Sequence, residues 1–246
     1  MKDTYIHDMT WCIDTGGFHL PNYRHYQYDL VKKYLGKEVL EVGTGDREFT
    51  RLLQEKNLEM QRCVSIEPSK SFFTAFSKKI FPSMFTFLHM DLFTMTKRKY
   101  GDFDTVVFIH VLEHIKEDKK ALDHVYTLLK PGGRVVIIVP AMTWLFSDHD
   151  RSLGHYRRYT KTSMKRIIDT KKFIIEDMWY QDILGMIGSF LYFKLRKIRL
   201  QTPKGKKLVQ THGQFYDRYI IPFERFMEKI IRFPLGLTLT VILKKR

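Results

Sequence analysis

The chain has 246 residues, enough for one α/β domain with added elements, and its hydrophobic fraction of 44% is typical of a globular protein. Its two cysteines, Cys12 and Cys63, have no metal-type spacing, which favours a reduced, cytoplasmic protein. The most apolar stretch, residues 183–193, is shorter than the roughly 20 residues that a membrane-spanning helix needs. The net charge of +15 favours an anionic partner such as nucleic acid, anionic lipid or a phosphorylated substrate.

The first 140 residues alternate between two kinds of pattern. Runs of β-branched and aromatic residues bounded by turn residues predict five strands, at Glu38–Val42, Arg62–Ile66, Phe85–Met90, Phe103–His110 and Arg134–Pro140. Helical periodicity covers Asp46–Lys56, Ser69–Ile80 and Lys116–Lys130 between them. This alternation predicts βαβ units and a parallel sheet.

The alternation changes in the second part of the chain. Phe173–Asp177 and Leu235–Leu243 predict a sixth and a seventh strand. Between them, Ile183–Leu200 and Phe215–Arg232 have helical patterns, and Pro203–Lys207 is predicted to be a mobile loop.

We therefore predict an α/β fold with a doubly wound, seven-stranded, mostly parallel sheet. Residues 1–246 would form a single domain, with an N-terminal cap segment at 1–35 and a helical insertion at 183–232. Because this insertion precedes the last strand, it is expected to cover the ligand-binding edge of the sheet.

The turn after the first predicted strand contains Gly43 and Gly45. Glycines permit a tight turn and let a ligand approach the backbone. A dinucleotide-binding loop has a third glycine three residues later, but this chain has Glu48 there. A carboxylate at that position would repel a pyrophosphate, so the loop predicts a ligand without phosphates.

A second acid, Glu67, lies at the end of the second predicted strand, 22 residues after Gly45. An acid about 20 residues beyond the glycine loop typically binds ribose hydroxyls. Together the two features indicate a nucleoside without a pyrophosphate, and they argue against a nicotinamide-dependent oxidoreductase.

Several motifs resemble those of the class I S-adenosylmethionine-dependent methyltransferases. In chain order they are VLEVGTG (39–45), IEP (66–68), HMDLF (89–93), FDTVVFIHVLEHI (103–115) and LLKPGGRVVIIVP (128–140). The resemblance implies a Rossmann-like fold, S-adenosylmethionine as the cofactor, Glu41 near its cationic methionine end, and Asp91 at its adenine amino group. The cofactor-binding residues that it implies are Tyr23, Glu41, Gly43, Thr44, Gly45, Glu67, Pro68, Asp91, Leu92 and His110. Asp46 departs from the glycine or alanine usual after the second motif glycine.

A narrower resemblance covers nearly the whole chain. The segments at 22–45, 148–160 and 232–245 are similar to those of a bacterial subgroup often found beside lipid-linked sugar glycosyltransferases. This resemblance implies a small acceptor that is anionic or linked to a lipid or a sugar.

Two histidines are candidate catalytic residues. Methyl transfer needs a base only when the acceptor holds a proton that it does not lose easily. His110 ends the fourth predicted strand at the carboxyl edge, where it would contact the cofactor or the acceptor; a histidine satisfied by backbone is the alternative. His155 follows the fifth strand and is predicted to be a general base, because imidazole titrates near neutral pH.

The segment around His155 also contains the predicted substrate-binding residues. Tyr156 and Arg157 would bind an anionic acceptor, since arginine forks suit phosphate and carboxylate; the alternative is arginines paired with acids that hold the loop. Glu113 and His114 are predicted to cap and orient their turn, and no metal site is predicted.

Two other functions stay open at this point. The net charge suggests an RNA methyltransferase acting on ribose or guanine, although the N/D-P-P-Y motif of adenine N6 enzymes is absent after the fourth strand and nucleic acid is disfavoured. Basic residues follow an apolar stretch in 183–200, which is also typical of a non-enzymatic membrane-surface protein that keeps the fold. We favour a cytoplasmic enzyme in which 183–200 covers the active site, and peripheral membrane contact through 183–200 is the alternative. The oligomeric state stays open.

Overall fold

The computed structural model describes residues 20–57, 59–78, 80–198 and 202–246, without the side chains of 203, 204, 206, 209 and 210. The predicted N-terminal cap segment is therefore described only from residue 20, and Cys12 lies outside the described residues.

Seven strands form one sheet in the order β3-β2-β1-β4-β5-β7-β6. They are β1 (Glu38–Val42), β2 (Arg62–Glu67), β3 (Phe85–His89), β4 (Phe103–Ile109), β5 (Leu129–Pro140), β6 (Phe173–Gln181) and β7 (Thr238–Lys245). The first five strands are parallel to one another, and β7 is antiparallel to both β5 and β6. The predicted seven-stranded, mostly parallel α/β sheet is confirmed.

The sheet separates two hydrophobic cores. Successive side chains of a strand point to opposite faces, so Leu40 and Val42 of β1 lie in one core while Val39 lies in the other. All three are buried. This burial on both faces explains why the strand reads as an almost continuous apolar run.

The described helices are α1 (Pro21–Val31), α2 (Glu48–Lys56), α3 (Lys70–Ala75), α4 (Lys97–Tyr100), α5 (Asp118–Leu128), α6 (Asp148–Ser152), α7 (Lys161–Ile167), α8 (Ile183–Ser189), α9 (Pro203–Leu208) and α10 (Ile221–Met227). π-Helical segments at Phe190–Leu195, Val209–Gly213 and Tyr216–Ile220 continue the insertion. None of these helices combines the length and apolarity needed to cross a bilayer.

The predicted loop at Pro203–Lys207 is wrong, because helix α9 covers it. Proline favours the first position of a helix, where its missing N–H costs nothing. The hydroxyl of Thr202 accepts a hydrogen bond from the Gly205 N–H at 3.1 Å, which adds a side-chain cap.

Carboxylates of the insertion tie it to α1 and to the segment after β6. Asp217 accepts hydrogen bonds from the backbone N–H groups of Asn22 (3.2 Å) and Tyr23 (2.8 Å), which are unpaired donors of the first turn of α1. Glu224 accepts from the Leu184 N–H at 2.6 Å, and Glu228 accepts from the backbone N–H at position 182 at 2.7 Å. These bonds fix the insertion over the carboxyl edge of the sheet.

Candidate active site

A cavity of about 680 Å³ opens at the carboxyl edge of the parallel strands. Its walls include Gly43, Thr44 and Gly45 after β1, Glu67 and Pro68 at the end of β2, His110 after β4, Pro140 at the end of β5, and Leu184, Tyr192, Tyr216 and Ile220 of the insertion. Its volume lies within the usual range for small-molecule sites, about 300–1,000 Å³.

The two loop glycines are required for different reasons. Gly43 has a φ of 74°, and a Cβ there would lie 2.6 Å from Val111 Cγ2, so the loop packs too closely for a side chain. Gly45 has a φ of 48°, but a Cβ there would meet no atom within 4 Å. The hydroxyl of Thr44 is buried and has no hydrogen-bond partner in the described part of the chain. The loop thus offers a ligand open space and a free hydroxyl.

Glu67 holds this loop in place. Its Oε2 accepts a hydrogen bond from the Gly45 N–H, and its Oε1 accepts one from the Ser69 N–H, both at 2.9 Å. The carboxylate lines the cavity and retains lone pairs for further donors. The sequence predicted contact with ribose hydroxyls but not this contact with the glycine loop.

Glu41 is buried between α2 and β2. Its Oε2 accepts hydrogen bonds from the Thr50 hydroxyl at 2.5 Å and the Ser65 hydroxyl at 2.8 Å. Burial raises the pKa of this carboxyl to about 7, although the two hydroxyl donors lower it. A cationic ligand in the adjoining cavity would stabilise the ionised form.

Asp91 and Leu92 lie at the carboxyl end of β3, outside the described lining of the cavity. Asp91 Oδ1 accepts a hydrogen bond from the Phe93 N–H at 2.8 Å and caps a short 3₁₀ turn. Leu92 is buried in the core. Their predicted contact with the adenine ring stays a prediction.

His110 lies directly after β4 with a φ of 56° and lines the cavity, with Tyr23 beside it at 6.4 Å between ring centroids. Gln27 Oε1 accepts a hydrogen bond from Arg24 at 3.1 Å, so the Gln27 amide nitrogen donates to His110 Nε2 at 2.7 Å. The proton of His110 is then on Nδ1, which lies 3.7 Å from Glu113 Oε1. Its side chain is thus held by other side chains rather than by backbone alone.

His155 also lines the cavity, next to a buried ion pair. Its Nδ1 donates to Asp150 Oδ1 at 3.0 Å, and Arg158 Nε donates to the same oxygen at 2.7 Å. Burial raises the pKa of the Asp150 carboxyl, but the bonds from His155 and Arg158 outweigh it and keep that pKa below its usual value. The remaining nitrogen, Nε2, lies 4.0 Å from Glu113 Oε1. The role of His155 as a base stays a prediction.

The predicted substrate-binding pair lies outside the described cavity lining. The side chain of Tyr156 is 52% exposed. Arg157 forms a 2.5 Å ion pair with Asp118 and donates to the Lys116 carbonyl at 2.8 Å. The observed geometry is therefore the alternative in which an acid holds the arginine, and it gives no support to binding of an anionic acceptor by Tyr156 and Arg157.

Two buried acids, Glu113 and Asp182, also line the cavity. The sequence analysis gave Glu113 only the role of orienting its turn, and it missed Asp182. Neither oxygen of Glu113 has a hydrogen-bond partner among the described residues, and the same holds for Asp182 Oδ2. Tyr216 donates its hydroxyl proton to Asp182 Oδ1. Burial raises the pKa of Asp182, and burial with the neighbouring Asp182 charge raises the pKa of Glu224 to about 9. The dipeptide Glu113–His114 was visible in the sequence, whereas Asp182 gave no local signal.

A family model described as a methyltransferase domain matches residues 23–183. The chain belongs to this family, and the class predicted from its motifs, an S-adenosylmethionine-dependent methyltransferase, is confirmed. No curated protein matches its sequence.

Solved structures share the fold at low identity. A chain of the complex between the Haloferax volcanii Trm112 methyltransferase activator and a putative methyltransferase is 13% identical with a TM-score of 0.61, covering 99% of this chain and 98% of that one. A putative S-adenosylmethionine-dependent methyltransferase from Listeria monocytogenes is 12% identical with a TM-score of 0.57, covering 90% and 99%. The plantazolicin methyltransferase BpumL, in complex with SAH and an analogue, is 11% identical with a TM-score of 0.57, covering 97% and 90%.

Proposed function

We propose that the protein transfers the methyl group of S-adenosylmethionine to a small, anionic, lipid- or sugar-linked acceptor at the surface of an anionic membrane. One observation carries this proposal. The helices of the insertion line the cavity with one face and expose apolar side chains on another.

The longer apolar stripe follows the helical segment that contains α10. It consists of Tyr219, Phe223 and Phe226, which are 54–60% exposed, and exposed Ile230 follows in the turn after α10. Spacings of three and four residues place the three aromatic side chains on one face of the helical segment. The opposite face, with Asp217, Ile221 and Glu224, is buried. Such an amphipathic helix suits the interface of a lipid bilayer.

A second stripe follows α8. Ile187, Leu191 and Leu195 recur every four residues and are 48%, 44% and 58% exposed. Exposed Lys194 and Lys197 lie beside it in the sequence. Apolar side chains flanked by cations favour an anionic lipid surface over a neutral one.

The described part of the cavity offers an anionic acceptor few positive charges. The arginines among its described lining residues are Arg24, which pairs with Asp46 at 3.6 Å, and Arg158, which pairs with Asp150. We infer that the lipid portion of the acceptor stays in the membrane while its headgroup enters beneath the insertion, and that these arginines do not neutralise it.

Flotation with lipid vesicles tests membrane binding. We expect the wild type to float with phosphatidylcholine vesicles that contain phosphatidylglycerol, and the Phe223→Ser/Phe226→Ser variant to stay in solution. Phe93→Ser is the matched control, because Phe93 is 43% exposed outside the insertion. Calorimetry with S-adenosylhomocysteine checks that each variant is folded. Equal flotation of wild type and double variant would contradict the proposal.

The acceptor class is tested with cofactor that carries a labelled methyl group. Incubation with membrane lipid extract and, separately, with total RNA should label a lipid-extractable product and leave the RNA unlabelled. Label in RNA alone would overturn the proposal in favour of the RNA methyltransferase.

A further inference from the structure

We propose that Glu113, His114 and His155 form a binding site for one divalent transition-metal ion in the wall of the cavity. A carboxylate oxygen and one ring nitrogen from each histidine lie within 4.8 Å of one another. Tetrahedral ligands at about 2.0–2.2 Å from zinc are roughly 3.3–3.6 Å apart. Loading an ion therefore requires the ligand atoms to approach one another by up to about 1.4 Å.

Glu113 is the observation that points to a cation. Its side chain is fully buried, and neither carboxylate oxygen has a hydrogen-bond partner within the part of the chain that the structure describes. The ring nitrogens of His110, at 3.7 Å, and of His155, at 4.0 Å, lie beyond hydrogen-bond distance. A buried carboxylate is stable only when it is paired, and metal coordination is one of the ways to pair it.

His155 is oriented as a metal-binding histidine. Such histidines usually donate their second ring N–H to a carboxylate, which fixes the tautomer and leaves the other nitrogen for the metal. Here Nδ1 donates to Asp150, which Arg158 holds from the other side, and Nε2 faces Glu113. His114 contacts the same ring edge-on, at 4.7 Å between centroids.

The backbone holds these ligands together. Glu113 and His114 share the short 3₁₀ turn Leu112–His114, and the Tyr156 N–H donates to the Glu113 carbonyl at 2.9 Å. That bond joins the turn after β4 to the segment that carries His155. His110 is excluded as a ligand, because its Nε2 accepts from Gln27 and its Nδ1 carries the proton that points at Glu113.

The ligand set selects the class of ion. Two imidazoles and one carboxylate suit zinc, iron, nickel or cobalt better than magnesium, which prefers oxygen ligands. Three protein ligands leave at least one coordination position free. Since all three residues line the cavity, that position is open to a ligand bound there.

The chemical role of the ion rests on the proposed function. A metal ion lowers the pKa of an oxygen that it binds and neutralises negative charge. An acceptor hydroxyl bound to the ion would release its proton to water. A lone pair of that oxygen then forms the new O–CH₃ bond while the C–S bond breaks, and its electron pair stays on the sulfur of S-adenosylhomocysteine.

Binding of Co²⁺ and Zn²⁺ to the full chain, freed of metal with a chelator, tests the site without any acceptor. We expect one ion per chain by calorimetry, with the visible absorption of coordinated Co²⁺. Glu113→Gln should lose this site, and Asp150→Asn should weaken it about 10- to 100-fold. His25→Asn is the matched control, because His25 lies outside the cavity lining and should leave stoichiometry and affinity unchanged.

Thermal unfolding separates a metal ligand from a residue that only stabilises the fold. Zn²⁺ should raise the melting temperature of the wild type but not of Glu113→Gln. Without metal the variant should be no more stable than the wild type, because it loses the attraction between the Glu113 carboxylate and the histidines around it; the readout is the shift that Zn²⁺ adds to the melting temperature of each protein. No stoichiometric binding to the wild type, or unchanged binding to Glu113→Gln, would overturn the inference. S-adenosylhomocysteine titrated into the same samples reports on the proposed function separately, because either ligand can bind while the other fails.

Discussion

Replacing Glu41 with glutamine is expected to remove a pH dependence of cofactor binding near neutral pH. The pKa of the buried carboxyl is about 7 instead of 4.5, because burial outweighs the hydrogen bonds from Thr50 and Ser65. The nearby charges of Asp46 and Glu67 raise it further. If the cationic cofactor binds the ionised form, about a tenth of the protein is competent at pH 6 and about nine tenths at pH 8. The affinity should therefore rise about tenfold between these values.

The same ionisation sets the sign of the effect on stability. The Glu41 carboxyl favours the folded state below about pH 4.5, and this contribution is lost as the pH rises to about 7. The difference between the two pKa values corresponds to roughly 3 kcal/mol. The ligand-free Glu41→Gln variant should consequently be more stable than the wild type at pH 8.

Calorimetry at pH 6, 7 and 8, in two buffers of different ionisation enthalpy, measures both the affinity and the protons released. The α-amino group of the ligand also titrates in this range, so the difference between wild type and Glu41→Gln isolates the carboxyl. Urea unfolding at pH 8 measures the stability. Parallel pH profiles for the two proteins, or a variant less stable than the wild type at pH 8, would refute the reasoning.

Three substitutions test other parts of the site. Glu67→Ala should weaken S-adenosylhomocysteine binding by about 1–3 kcal/mol in calorimetry, since it leaves ribose hydroxyls and the Gly45 N–H without an acceptor; an unchanged affinity would contradict this role. Gly43→Ala should lower the free energy of unfolding in urea by about 1–3 kcal/mol more than Gly45→Ala, because only an alanine at position 43 meets a side chain at 2.6 Å. Equal losses would show that the positive φ of each glycine, rather than the close contact, sets the cost. His155→Ala should lower turnover and leave cofactor affinity intact, whether its Nε2 accepts a proton, which contributes about 10²–10⁴-fold, or binds the proposed ion; a full-rate variant would place His155 outside the chemistry.

Much of the fold could be predicted because its signals are local. Strand β1 has the predicted bounds, Glu38–Val42, since a buried apolar run is bounded by turn residues on both sides. The error at Pro203–Lys207 is also instructive: proline, glycine and lysines were interpreted as a loop, but Thr202 caps a helix there. Helix α3 ends at Ala75 rather than at the predicted Ile80.

The same distinction between local and distant signals holds for the site. Gly43, Gly45 and Glu67 belong to one βαβ unit, so their spacing in the sequence predicts that they lie together in the fold. Asp182 and Glu224 meet across 42 residues of insertion, and no periodicity in the sequence reports such a contact. Arg157 was assigned to an anionic acceptor because arginine forks suit phosphate and carboxylate, and the sequence pattern does not report that Asp118, 39 residues earlier, is its partner.

The distribution of charge also determines the order in which ligands should bind. The chain carries a net charge of +15, yet the acids that line the cavity are Glu41, Asp46, Glu67, Glu113 and Asp182. The described lining contains no lysine, and both of its arginines are paired. An anionic acceptor would therefore be repelled until a cationic ligand lowers the negative charge of the cavity. Acceptor binding should require prior binding of S-adenosylmethionine, whereas neutral S-adenosylhomocysteine should promote it less; calorimetry with each cofactor form measures the difference. An acceptor that binds equally well to the empty cavity would show that its charge is held outside it.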